Sequence, residues 1–202
     1  MALVWLCLAA FAAGVINSVA GGGTLLTFPT LIWALGGTPS AAVIANATST
    51  VALLPGSVAS MWGYRREFAG TGEWVRWLLP PSFLGGIVGS LLLILLPAEW
   101  FSLMTPWLIL TAATLLAFQP TIARWTGIGK PHAQPNRSTV GAIVGFQFLV
   151  AVYGGYFGAG IGILMLSALA MIGLDDFHRM NALKTLFGTA INIVAAAIFI
   201  VG

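Results

Sequence analysis

Lys184 is the residue with the most chemistry to offer. It lies eight positions past Asp176, inside the apolar run Phe177 to Val201, which puts it roughly 12 Å into a helix. An ionisable side chain at bilayer depth costs about 2.5–3.5 kcal/mol on insertion scales, so it faces a cavity or partner, or snorkels to the surface. Facing a cavity, it would attract an anion near the midplane. Thr185 is its neighbour, and Asn46, Thr48, Ser49 and Thr50 form a second polar cluster in the apolar run 41–61. Asn181 and Asn192 read as bonds between neighbouring helices. Asn17, just ahead of a glycine run, reads as lining a break in the helix.

Two glycine runs could supply the rest of an anion site. Gly21, Gly22 and Gly23 precede Thr24, and Gly158, Ala159 and Gly160 precede Ile161. Irregular backbone at membrane depth is tolerated where it is buried in protein or lines a cavity. The N–H groups at the start of the helix that follows carry partial positive charge and suit an anion. Close packing of small residues is the rival use of these glycines. The GAGIG at 158–162 has the wrong spacing for a dinucleotide fingerprint and lies in an apolar run. The expected substrate-binding residues are thus Asn17, Gly21, Gly22, Gly23 and Thr24 at the first break, and Gly158 and Gly160 at the second. Asn46, Thr48, Ser49, Lys184 and Thr185 join them from the helices that follow.

Helices must position these residues. A span needs about 20 apolar residues. Leu3–Val19, Ala41–Met61, Leu78–Leu96, Phe101–Phe118, Val140–Tyr156 and Phe177–Val201 read as spans. Thr24–Leu35 and Ile161–Ile172 are twelve residues each, too short to cross alone, and both follow a glycine run. One constant offset carries Gly21 onto Gly158, Gly23 onto Gly160, Gly36 onto Gly173 and Thr48 onto Thr185. Glycine-broken segments at matching places in two halves point to a transporter's binding site.

Composition fixes the compartment. Of 202 residues, 59% are hydrophobic and only 6% charged, where a soluble domain carries about a quarter charged. The basic pI of about 9.5 therefore reads as a topology signal and not as a nucleic-acid surface. Arg65, Arg66 and Arg76 lie in the loop 63–76, and Arg124, Lys130 and Arg137 in the polar stretch 119–139, whereas the turns 36–39 and 97–100 hold no Lys or Arg. By the positive-inside rule the first two are cytoplasmic and the turns outside. The two glycine units then run in opposite senses, as an inverted repeat. The expected fold is an all-α polytopic membrane bundle of two inverted repeats with glycine-broken short helices. Its parts are a first membrane repeat (1–120), a cytoplasmic linker (121–138) and a second repeat (139–202). Two spans of the first half lack counterparts in the second, so a complete pair needs roughly 50 more residues, at about 20 for each span and the rest in turns.

Catalysis finds little support. The single cysteine, Cys7, excludes a disulfide framework and a CxxC metal site. A Ser-His-Asp set, an HExxH motif and paired carboxylates are all missing from the spans, so no enzyme activity, metal or cofactor is expected.

The chain resembles the sulfite exporter TauE/SafE family of membrane permeases. The likeness rests on NSVAGGGTLLTFPTL with the following ANATST, and more firmly on GGYFGAGIGILML and GLDDFHRMNALK. It covers nearly the whole chain. The resemblance implies a multi-pass protein of the cell inner membrane that transports small sulfur-containing or organic anions, such as sulfite or sulfonates. The partners expected are the anion and the lipid bilayer, no nucleic acid, and a homo-oligomer is left open. The alternatives are a passive anion channel and a membrane-embedded structural or assembly subunit.

Overall fold

The computed structural model describes residues 2–19, 22–118, 121, 137–170, 174 and 176–202. Among these all regular secondary structure is helical, with no strand. The helices are α1 (Ala2–Val19), α2 (Thr24–Leu35), α3 (Pro39–Gly63), α4 (Gly72–Leu95), α5 (Ala98–Ala117), α6 (Arg137–Tyr156), α7 (Ile161–Ala170) and α8 (Phe177–Val201). Helices α3, α4, α5 and α8 are long and apolar enough to cross a membrane. The fold is an all-α, multi-pass membrane helix bundle. In both halves a long helix, a short one and a 25-residue one follow in order.

Several helices outrun the apolar stretches that announce them. Helix α4 begins at Gly72, where Glu73 in the first turn complements the positive helix end. Helix α6 begins at Arg137, inside the stretch 121–138 read as linker, because backbone hydrogen bonding continues beyond the apolar residues. The second short helix ends at Ala170, and the expected residues 171 and 172 lie outside the described residues. Local chemistry sets the ends. Gly36 closes α2 at φ 85°, a left-handed position that favours glycine, with its N–H on the Ile32 carbonyl. The Thr38 hydroxyl accepts from Ala41 N at 3.2 Å to open α3, and the Asp176 carboxylate accepts from His178 N at 2.8 Å to open α8.

Helices α4 and α6 make the closest crossing in the bundle. Gly85, Gly86 and Gly89 of α4 lie against Phe148, Ala151, Val152 and Gly155 of α6, close enough for backbone to touch backbone. This is small-residue packing of the kind membrane helices use where apolar side chains gain nothing over lipid. Gln147 Nε2 donates to Ser82 Oγ across the same seam at 2.9 Å, fully buried. Helix α8 lies along α4 in the same direction: Leu78 packs near Met180 and Leu183, and Ile94 meets Gly202. A second cluster joins α2 and α5 to the end of α6. Its rings meet edge to face, Phe28 on Phe157 at 5.3 Å and Phe101 on Tyr156 at 5.4 Å. At the opposite end a side-chain carbon on Gly70 would lie 3.7 Å from Arg179 Nη1. The arginine-bearing turn 64–71 and the start of α8 therefore share one end of the bundle, as their charges suggest.

Candidate functional site

The second glycine run builds a true break. Helix α6 stops at Tyr156, and Phe157 N and Gly158 N both turn back to the Tyr153 carbonyl, at 2.9 and 3.2 Å. Gly158 and Gly160 take φ of 81° and 77°, conformations that side chains rarely tolerate. The Tyr153 hydroxyl donates to the Ala159 carbonyl at 2.8 Å and fixes the loop. Asn46 of α3 donates its Nδ2 to the Tyr156 carbonyl at 3.0 Å, satisfying an acceptor that a helix C-terminus leaves open. Helix α7 then enters the bundle interior with nine of its ten residues buried, so it faces protein and not lipid.

The N-terminus of α7 opens on a cavity of about 50 Å³. That volume is enough for a small ion or a few waters. Gly158, Ile161 and Gly162 line one wall, and Lys184, Thr185, Gly188, Thr189 and Asn192 of α8 line the next. The first half closes it with Asn17 of α1, Thr24 at the start of α2, and Thr50, Ser57 and Ser60 of α3. Lys184 is only 4% exposed, so its ammonium stays in the interior and does not snorkel out. It is the one charged side chain among the described residues of the lining.

Ser57 ties the cavity together. Its oxygen lies within hydrogen-bond reach of Asn17 Nδ2 at 3.5 Å and Asn192 Nδ2 at 3.3 Å, one amide from each half. Its own hydrogen goes to the Leu53 carbonyl at 3.1 Å, and its carbonyl accepts from the Thr189 hydroxyl at 3.1 Å. Helices α1, α3 and α8 thus meet at one residue.

Of the residues expected to bind substrate, the structure brings together Asn17, Thr24, Gly158, Lys184 and Thr185. It does not bring the others. Thr48 is on the exposed face of α3, because two positions along a helix from the inward Asn46 point nearly the opposite way. Ser49 is buried in a hydroxyl pair with Thr27 of α2, and Asn46 is taken up by the α6 terminus. Among the described residues Asn46 Oδ1 has no hydrogen-bond partner. Gly23 is a packing residue: a side-chain carbon there would meet the Ala13 carbonyl oxygen at 2.5 Å. Gly160 backs onto Ala112 of α5, Gly22 is buried against Ile16 and Leu116, and Gly21 lies outside the described residues. Sequence reasoning passed over Ser57, Ser60, Gly188 and Thr189, and it read Asn192 as a packing contact. Helical phase carries the missing signal, since Asn46, Thr50, Leu53 and Ser57 follow one another at steps of three and four along one side of α3.

Comparison with known proteins agrees with this architecture. The model of the sulfite exporter TauE/SafE family matches residues 6–202. The chain is similar to the probable membrane transporter protein YfcA of Escherichia coli K12, 29% identical over 96% of this chain and 68% of the relative. It is also similar to a probable membrane transporter protein of Haemophilus influenzae, 27% identical over 95% of this chain and 71% of the relative. A third relative, the probable membrane transporter protein ORF9 of a Sinorhizobium species, is 27% identical over 98% of this chain and 72% of its own length. No solved structure matches. The chain belongs to the sulfite exporter TauE/SafE family.

Proposed function

We propose that this membrane transporter carries small oxyanions, sulfur-containing ones such as sulfite or a sulfonate foremost and small organic anions next, through the cavity at the second glycine break. Its family and relatives make it a transporter and not an enzyme. The observation that carries the reading is a buried Lys184 at a small polar cavity, beside a helix N-terminus and two amides from opposite halves. Ammonium, amide N–H and helix-end N–H groups are all donors to an oxyanion, and charge-assisted bonds are the stronger ones. The two halves act as inverted copies in this reading, and one rocks against the other to expose the site to each side in turn. The chain lies in the cell inner membrane with the arginine-bearing turn 64–71 inside.

Filling the cavity tests the reading. A side-chain carbon at Gly188 meets no atom within 4 Å, and the residue lines the cavity. Gly188→Ala and then Gly188→Val are expected to reduce sulfite and sulfonate flux in proteoliposomes in order of size. Thermal stability should hold, since alanine in a helix is favoured over glycine by about 1 kcal/mol. Undiminished flux in a folded Gly188→Val protein would remove the cavity from the path.

A further inference from the structure

Four of the six hydroxyl groups around the cavity, those of Thr50, Ser57, Thr185 and Thr189, are oriented in a way that narrows the ligand. A hydroxyl has a single hydrogen, and once that is given away its oxygen can only accept. Thr50 gives its hydrogen to the Asn46 carbonyl at 3.0 Å. Thr185 gives its own to the Asn181 carbonyl at 2.5 Å, and Thr189 to the Ser57 carbonyl at 3.1 Å. The first two are bonds back along the same helix, of the kind Ser and Thr make inside membrane helices, and the third crosses from α8 to α3. The cavity wall therefore carries two kinds of group. Lys184, Asn17 and Asn192 supply donors, while Thr50, Thr185 and Thr189 present hydroxyl lone pairs.

An oxyanion without hydrogens would leave those lone pairs facing its own negative oxygens. A doubly charged ion would in addition meet only one cationic side chain among the described lining residues. We propose that the cavity selects a singly charged oxyanion bearing its own hydrogen-bond donor, with charge held by Lys184 and the Asn17 and Asn192 amides and the donor received by the Thr50, Thr185 and Thr189 oxygens. This rests on the oxyanion reading above and adds the protonation state to it. The two amides that share the Ser57 oxygen at long range are released to the ligand, which is the better acceptor. A metal cation at the same oxygens would be repelled by the Lys184 ammonium.

Two probes separate these possibilities. Hydrogen sulfite and methanesulfinate carry the same charge and the same SO2 group, and differ by a hydroxyl in place of a methyl. Their binding to the purified full chain in detergent can be measured by calorimetry in weakly acidic, sodium-free buffer, where the singly protonated ion predominates. Hydrogen sulfite is expected to bind about tenfold more tightly, the value of one net hydrogen bond. In Thr185→Val/Thr189→Val the ratio should fall to near one, with the thermal midpoint of the purified chain recorded alongside to report that the variant is folded. Thr185→Ser/Thr189→Ser should restore the preference. Equal binding in the unmodified chain, or a ratio that survives the valine variant, overturns the proposal and leaves the oxyanion reading standing. If both probes bind only with sodium and are lost together in the valine variant, the oxygens hold a cation, and the proposal falls. Binding of neither probe, with sodium added or without it, overturns both readings.

Discussion

Lys184→Met is expected to lower anion flux by a hundredfold or more while the protein inserts and folds as before. Two opposing effects set that expectation. An ammonium about 4 Å from an anion contributes about 4 kcal/mol at an effective dielectric of 20. Part of that is offset by stripping water from both groups, and a remainder of about 2.8 kcal/mol corresponds to a hundredfold. Folding responds in the other direction. Lys184 is 4% exposed, and an apolar chain of similar length carries no cost of burying charge, so stability should hold or rise. Lys184→Arg keeps the charge but brings a larger head into a cavity of about 50 Å³, and is expected to keep only part of the activity. The measurement is saturable flux into proteoliposomes, with the thermal midpoint in detergent recorded alongside. Normal flux in the methionine variant would show that the cavity's charge has no part in transport.

Gly89→Ala is expected to be the most damaging single methyl in the protein. A side-chain carbon there would overlap the Val152 carbonyl oxygen and lie 2.8 Å from Tyr156 N. Both are backbone atoms of α6, so no rotamer change relieves the clash, and the two helices must part. Overpacking costs about 1–3 kcal/mol where side chains can adjust, so about 3 kcal/mol or more is expected where backbone meets backbone. Part of the polar seam goes with it, since Gln147 reaches Ser82 only at the present spacing. Gly145→Ala, on the facing helix α6 with no atom within 4 Å, serves as the comparison and should be neutral or slightly stabilising. The folded fraction and melting midpoint of the two variants, followed by fluorescence-detected gel filtration, give the answer. Equal behaviour would mean that the α4–α6 crossing has room for a methyl group.

The sequence made the broad plan readable because lipid leaves few options. Apolar length and the glycine runs marked where helices cross and where they stop, and α8 falls on Phe177–Val201 as expected. Lys184 stood out because a charge in an apolar run has few reasons to be there. What stayed hidden has a physical pattern. Gly85, Gly86, Gly89 and Ser90 read as part of an ordinary span, although their four-residue spacing is the mark of close crossing. Small hydroxyl residues such as Ser57 and Thr189 are cheap to place anywhere in a helix, so type alone does not separate a cavity wall from a packing contact. Thr48 reads as a site residue because it belongs to the polar cluster with Asn46, Ser49 and Thr50, and it also falls on Thr185 across the offset. Identity across a repeat does not fix which side of a helix a residue takes, and Thr48 is exposed.

The α4–α6 seam also has a consequence for the order of events during synthesis. Helix α4 leaves the ribosome with α5 and the stretch that follows still to come before α6 appears. Until then its glycine stripe has nothing but lipid to face. The tightest joint in the protein is therefore one that the nascent chain completes late, across the division between its halves. Chains arrested before residue 137 are expected to turn over faster in pulse-labelled cells than chains extended past Tyr156. Equal lifetimes would mean that the first half needs no help from the second to persist in the membrane.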